Sequence, residues 1–292
     1  MFRRPAVRSV VGMRFVLQLL SLVALSYLAS AVVGAAGEHA WLTFALGLVA
    51  TLGALAGYAW VVRRTERRPV DELGRRGALQ ALGRGSVVGL VLFAVVIGAI
   101  ALGGDYHVAG WGSVGDAVWL FGFLAPAAVT EELLFRGVLF RHVEQWFGTW
   151  AALVSTGLVF GMAHLLNPDA TLWGALSIAV EAGGMLGAAY VATRTLWLPI
   201  GLHFAWNFAE SGIFGTEVSG NIDRHGLLDA ATSGSVLISG GKFGPEASIY
   251  ALLVCLAVTA FLLRVARRRG HLVPARLPRR GRVAAGVTCT RA

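Results

Sequence analysis

The stretch Ala117–Leu139, AVWLFGFLAPAAVTEELLFRGVL, runs for 23 residues with only three charged side chains, Glu131, Glu132 and Arg136. About 20 predominantly apolar residues match the hydrocarbon core of a bilayer. The stretch therefore reads as a membrane-crossing helix with polar chemistry set into it. Similar apolar runs are expected to cross at Val16–Ala36, Trp41–Val62, Val87–Gly103, Ala151–Leu166, Leu172–Val191, Leu198–Phe214 and Ala247–Leu263. The sequence thus predicts an all-α fold, a polytopic membrane helical bundle of about eight transmembrane helices. With 56% hydrophobic and 14% charged residues, and a mean hydropathy of +0.68, the composition lies well on the apolar side of soluble domains.

The net charge of +9 would suggest nucleic acid in a soluble protein. Relative to these spans, however, 23 of the 25 Lys and Arg residues fall on one side, leaving only Arg224 and Lys242 on the other. The positive-inside rule then places both termini in the cytoplasm, in a multi-pass protein of the cell (inner, cytoplasmic) membrane. Its partner is the lipid bilayer, whose anionic headgroups suit the basic patches. Topology accounts for the charge, no nucleic-acid recognition module is visible, and nucleic acid is excluded as a partner.

Cysteine usage implies no disulfide framework, with Cys255 inside the eighth span and Cys289 in the basic tail. The C-terminal Cys289-Thr290-Arg291-Ala292 formally fits a C-a-a-X prenylation box but reads as coincidence, because Arg291 stands where an aliphatic residue is expected. At the N-terminus the apolar run continues past Ala29-Ser30-Ala31, so a retained signal-anchor helix is expected. The chain reads as one membrane domain. It comprises N-terminal helices with an Arg-rich loop (1–115), a helical core (116–266) and a basic tail (267–292). Two connections, Gly104–Gly115 and Gly215–Pro245, are expected outside, the longer as a plain loop or one that shapes a site. Pro245 and Glu246 suit the first turn of the eighth span.

Ionisable side chains within spans are expensive and mark function by default. Glu131, Glu132 and Arg136 lie in the fourth span, His164 in the fifth, Glu181 in the sixth, and His203 with Asn207 in the seventh. Glu132 and Arg136 are i,i+4 neighbours able to pair, which leaves Glu131 free, rotated by about 100°. His203 and Asn207 also project together. If spans four and five form a hairpin turning near Phe147 and Gly148, Glu131 and His164 lie level. Each residue alone could be a helix-packing device, and Glu181 reads either as a packing partner for an arginine or as support for the site. A free carboxylate, two histidines and an amide on three helices form a set suited to acid/base chemistry.

The patterns Glu131-Glu132-x-x-x-Arg136, Phe160-x-x-x-His164 and His203-x-x-x-Asn207 resemble, in order and spacing, the signature of the CAAX prenyl protease and bacteriocin-processing family, also called the Abi family. The resemblance covers about residues 115–210, and Gly240-Gly241-Lys242-Phe243-Gly244-Pro245-Glu246 looks like a further block of the same family. It implies an intramembrane endopeptidase, a hydrolase acting on peptide or protein substrates that are lipidated in eukaryotic relatives. Catalytic Glu131 and His164 would activate a water, His203 and Asn207 would hold the oxyanion, and Glu132 with Arg136 would support them. No cofactor is expected. The alternative is zinc, with Glu131, His164 and His203 as ligands, although His-Glu-x-x-His is absent. Competing readings are a non-catalytic membrane peptide-binding or bacteriocin-immunity protein, and a transporter using a Glu/His relay.

Overall fold

A computed structural model describes residues 5–221, 224 and 226–275, with side chains from residue 12 onward. The first basic residues and the tail that holds Cys289 lie outside the described residues. Among those described, seven helices are long and apolar enough to cross a membrane. They include α1 (Pro5–Gly34), α2 (Ala40–Glu66), α3 (Ala78–Leu102), α4 (Val114–Phe147), α5 (Thr149–Leu166) and α6 (Leu172–Thr193). The expected seventh span is also helical, as α7 (Trp197–Asn207) continued by a π turn over Phe208–Ile213, but it is shorter than the others. The last of the seven is α8 (Ile249–Arg268). The chain is an all-α polytopic helical bundle.

Several boundaries differ from expectation. Ser113 caps α4 by accepting from the Asp116 N–H at 3.1 Å, and the helix runs on through Arg141, His142 and Glu144. Its 34 residues make about 51 Å at 1.5 Å per residue, against a hydrocarbon core of about 30 Å. The chain reverses at Gly148 (φ 88°), which with Phe147 flanks the midpoint between Glu131 and His164. Pro245 and Glu246 do not begin α8. They form a separate turn, and Ser248 caps the helix by accepting from the Ala251 N–H.

Helix packing rests on glycine. A Cβ on Gly85 would stand 2.3 Å from the Leu198 carbonyl oxygen, and one on Gly89 2.5 Å from that of Leu202, so this Gly-x-x-x-Gly face of α3 lies directly on the α7 backbone. A second such pair works likewise. On Gly157 and Gly161 of α5, a Cβ would stand 2.9 Å from the Ala179 carbonyl oxygen and 2.1 Å from that of Ala175 in α6. These contacts fix α7, which carries His203, and α5, which carries His164.

Near the α4–α5 corner, many arginines of the basic face are paired rather than free. Arg141 donates to Glu66 at 2.9 Å, Arg68 donates to Glu72 at 2.8 Å, and Arg194 pairs with Glu144. Burial alone would raise the Glu72 carboxyl. Hydrogen bonds from Arg68 and Tyr58 outweigh it and hold the group below the usual carboxylate range.

The two long connections also pair with each other. Strands β1 (Tyr106–Trp111) and β2 (Leu228–Thr232) form an antiparallel ribbon with a register shift between Val108 and Gly110. The Tyr106 hydroxyl donates to the Phe214 carbonyl at 2.8 Å, joining the ribbon to the end of the π turn after α7.

Candidate active site

Three helices carry a π-helical stretch, and each stretch holds a buried polar residue: Leu133–Phe140 in α4 with Arg136, Ala179–Leu186 in α6 with Glu181, and Phe208–Ile213 after α7 with Glu210. A π stretch breaks the i to i−4 ladder and accompanies functional positions. The Ala182 carbonyl, within one of these stretches, accepts from Arg136 Nη2 at 2.6 Å. Arg136 also donates from Nη1 to Glu132 Oε1 at 2.7 Å, and its guanidinium carbon lies 4.8 Å from the centre of the Phe160 ring. One arginine thus ties α4 to α5 and α6.

Glu132 is fully buried, and its Oε1 also accepts from His203 Nδ1 at 2.9 Å. The expected Glu132–Arg136 pair therefore has a third member. With Nδ1 donating to the carboxylate, Nε2 of His203 points the ring's other end toward Glu131, whose Oε2 is 3.8 Å away. Glu131 is 36% exposed, as a free carboxylate would be. His164 donates from Nδ1 to the Phe160 carbonyl at 2.8 Å, which leaves Nε2 as an acceptor in the neutral ring.

Glu131, His164 and Asn207 line one cavity of about 220 Å³, with an apolar wall from Phe123, Leu124 and Phe135. His203 lines a second, water-sized cavity of about 20 Å³, to which His164 and Asn207 also belong. The sequence-derived residues are thereby brought together on α4, α5 and α7. His203, expected to project with Asn207, also faces both glutamates. Among the described residues, no three or more His, Cys, Asp or Glu stand together as a group that could hold a metal ion.

Sequence reasoning does not single out Glu210, although it lies in an expected span and is fully buried. Glu181, singled out as ambiguous, lines the smaller cavity; among the described residues it pairs with no arginine and its Oε1 has no hydrogen-bond partner. Glu246 lines the same cavity, accepts from the Ser219 hydroxyl at 2.6 Å, and donates its backbone N–H to Glu210 at 3.4 Å. Burial pushes the Glu246 carboxyl above the usual carboxylate range.

The long connection does shape the site. Val218, Ser219 and Asn221 line the larger cavity, and Asn167 donates to the Ser219 carbonyl at 2.6 Å. Gly244 (φ 115°) is required where this loop folds back, since a Cβ there would meet the Glu217 carbonyl oxygen at 2.4 Å.

Comparison with curated proteins and with solved structures gives no match. A family model does match, over about a third of the chain that contains all the signature residues: residues 113–209 are similar to the family described as type II CAAX prenyl endopeptidase Rce1-like, the one the three motifs anticipate.

Proposed function

We propose that the protein is an intramembrane endopeptidase of the CAAX type, sited in the cytoplasmic membrane with its arginine-rich face toward the cytoplasm. Its substrate is a peptide segment carried at the membrane, with a lipidated C-terminal region as the resemblance implies.

Glu131, as carboxylate, takes a proton from a water held with the help of His164 Nε2. The water oxygen attacks the peptide carbonyl carbon, and the carbonyl electron pair moves onto oxygen. Asn207 and His203 Nε2 donate hydrogen bonds to that oxyanion. Donation from His203 requires a ring protonated at both nitrogens, a charge state for which Glu131 and Glu132 provide counter-charge. When the intermediate collapses the C–N bond breaks, and Glu131 passes its proton to the leaving amine. The products are a carboxylic acid and an amine, which exchange a proton to become carboxylate and ammonium. Glu132 and Arg136 act through His203, holding its ring angle.

The observation that supports this most is the opening of Glu131, His164 and Asn207 onto one cavity, with His203 Nε2 3.8 Å from Glu131. The test compares membranes carrying the wild type with membranes carrying Glu131→Gln. Proteomics should find a C-terminal peptide cleaved only by the former. Identical peptide profiles with folded variant would overturn catalysis and favour a peptide-binding role.

A further inference from the structure

The last turns of α8 present three arginines that the site does not use. Arg264 and Arg268 are one turn apart with Arg267 beside them, all exposed, and none has an ion pair or hydrogen bond among the described residues. Neighbouring arginines behave differently: Arg269 donates to the Ala192 carbonyl at 3.0 Å, and Arg194 pairs with Glu144.

The three arginines line an open groove of about 640 Å³ together with Trp150, Leu263 and Leu272, and no carboxylate stands in its wall. Trp150 and the adjacent Phe147 are both largely exposed at this corner, as aromatic side chains at a membrane–water boundary are. The wall carrying Leu272 is built into the fold. Val273 donates to the Thr149 hydroxyl at 2.8 Å and accepts from the Thr149 N–H at 2.9 Å, strapping the chain across the α4–α5 corner.

We propose that this groove is a binding site for an anionic phospholipid, with the phosphate on Arg264, Arg267 and Arg268 and the acyl chains along Leu263 and Trp150. Basic pockets between membrane helices take such headgroups. Complementing the helix dipole does not by itself account for the set, because that effect is confined to the last turn and Arg264 stands a turn further back. Charge does not favour the chain beyond residue 275 as the occupant. Its sequence adds five arginines and neither Asp nor Glu, so its charge is of the same sign.

The test is native mass spectrometry of the full chain in detergent with added phosphatidylglycerol or phosphatidylcholine. Three proteins are compared: wild type, a groove variant (Arg264→Gln, Arg267→Gln, Arg268→Gln) and a control that loses the same charge elsewhere (Arg63→Gln, Arg75→Gln, Arg76→Gln). Wild type and control should retain phosphatidylglycerol alike, and the groove variant should bind it at least about tenfold more weakly. The three single groove variants, each with a partial loss, keep the comparison valid should the triple variant fold poorly. Equal weakening in the control, equal retention of phosphatidylcholine, or displacement of the lipid by soluble glycerol phosphate would each overturn the proposal.

Discussion

Glu132 Oε1 and His203 Nδ1 stand 2.9 Å apart, a hydrogen bond between helices 71 residues distant in sequence. Glu132 spans from its own helix neighbour Arg136 to the ring that faces Glu131, so the two adjacent glutamates of one motif have different surroundings.

This difference is measurable. Glu131→Gln is expected to reduce peptidase activity by about 10³-fold or more and leave the thermal midpoint near wild type, because its side chain is partly exposed and unpaired by arginine. Glu132→Ala is expected to lose activity and also about 3–5 kcal/mol of stability, since it leaves the buried Arg136 uncompensated. Activity on a lipidated peptide and thermal unfolding, measured on the same preparations, check both.

Asn207→Ala should lower kcat about 10²–10³-fold with little change in KM, the pattern of a donor that bonds only the developing oxyanion. A rise in KM with unchanged kcat would instead assign Asn207 to substrate binding.

Metal stripping separates the mechanism from its zinc alternative. Protein treated with a chelator and exchanged into metal-free detergent is expected to keep its peptidase activity. Activity lost on stripping and restored by Zn²⁺ would require a metal-based mechanism.

Gly89→Leu is expected to move α7 away from α3, because even a Cβ at this position reaches within 2.5 Å of the Leu202 carbonyl oxygen. Overpacking of this kind costs about 1–3 kcal/mol or more. His203 is the next residue along α7, so activity should fall further than stability does. Parallel assays of yield, melting and turnover test it.

Glu72 links stability to acid. Its folded-state pKa is depressed, so its contribution is fully present above the unfolded carboxylate value of about 4.3 and disappears as pH falls through the lower folded value. The thermal midpoint should drop with acidification below about pH 4, and Glu72→Gln should show a smaller drop over that window.

The helical spans and the three signature motifs were legible because apolar length and i,i+4 spacing are local properties. The hairpin turn at Gly148 was legible for the same reason, through the symmetry of Glu131 and His164 about it. Other features are set by contacts between distant parts of the chain. The partnership of His203 with Glu132 joins α7 to α4, and β1 pairs with β2 across more than a hundred residues of sequence. A π stretch shifts the register of polar residues along a helix without changing how apolar it is, so hydropathy does not report it. Glu210 is a different case. It lies in an expected span, and the rule that identifies Glu181 identifies it too. The Gly-x-x-x-Gly pairs at Gly85/Gly89 and Gly157/Gly161 were likewise present in the sequence as a signal for close helix contact.

The ribbon of β1 and β2 gives the cavity rim a second owner. Val218 to Asn221 sit on a segment clasped at Phe214 by Tyr106 and at Leu228–Thr232 by β1, so one rim of the cavity that Glu131 lines is held by residues that follow α3. Substitutions that loosen this clasp should act as changes in gate width, altering which side chains pass while the chemistry beyond the gate keeps its intrinsic rate.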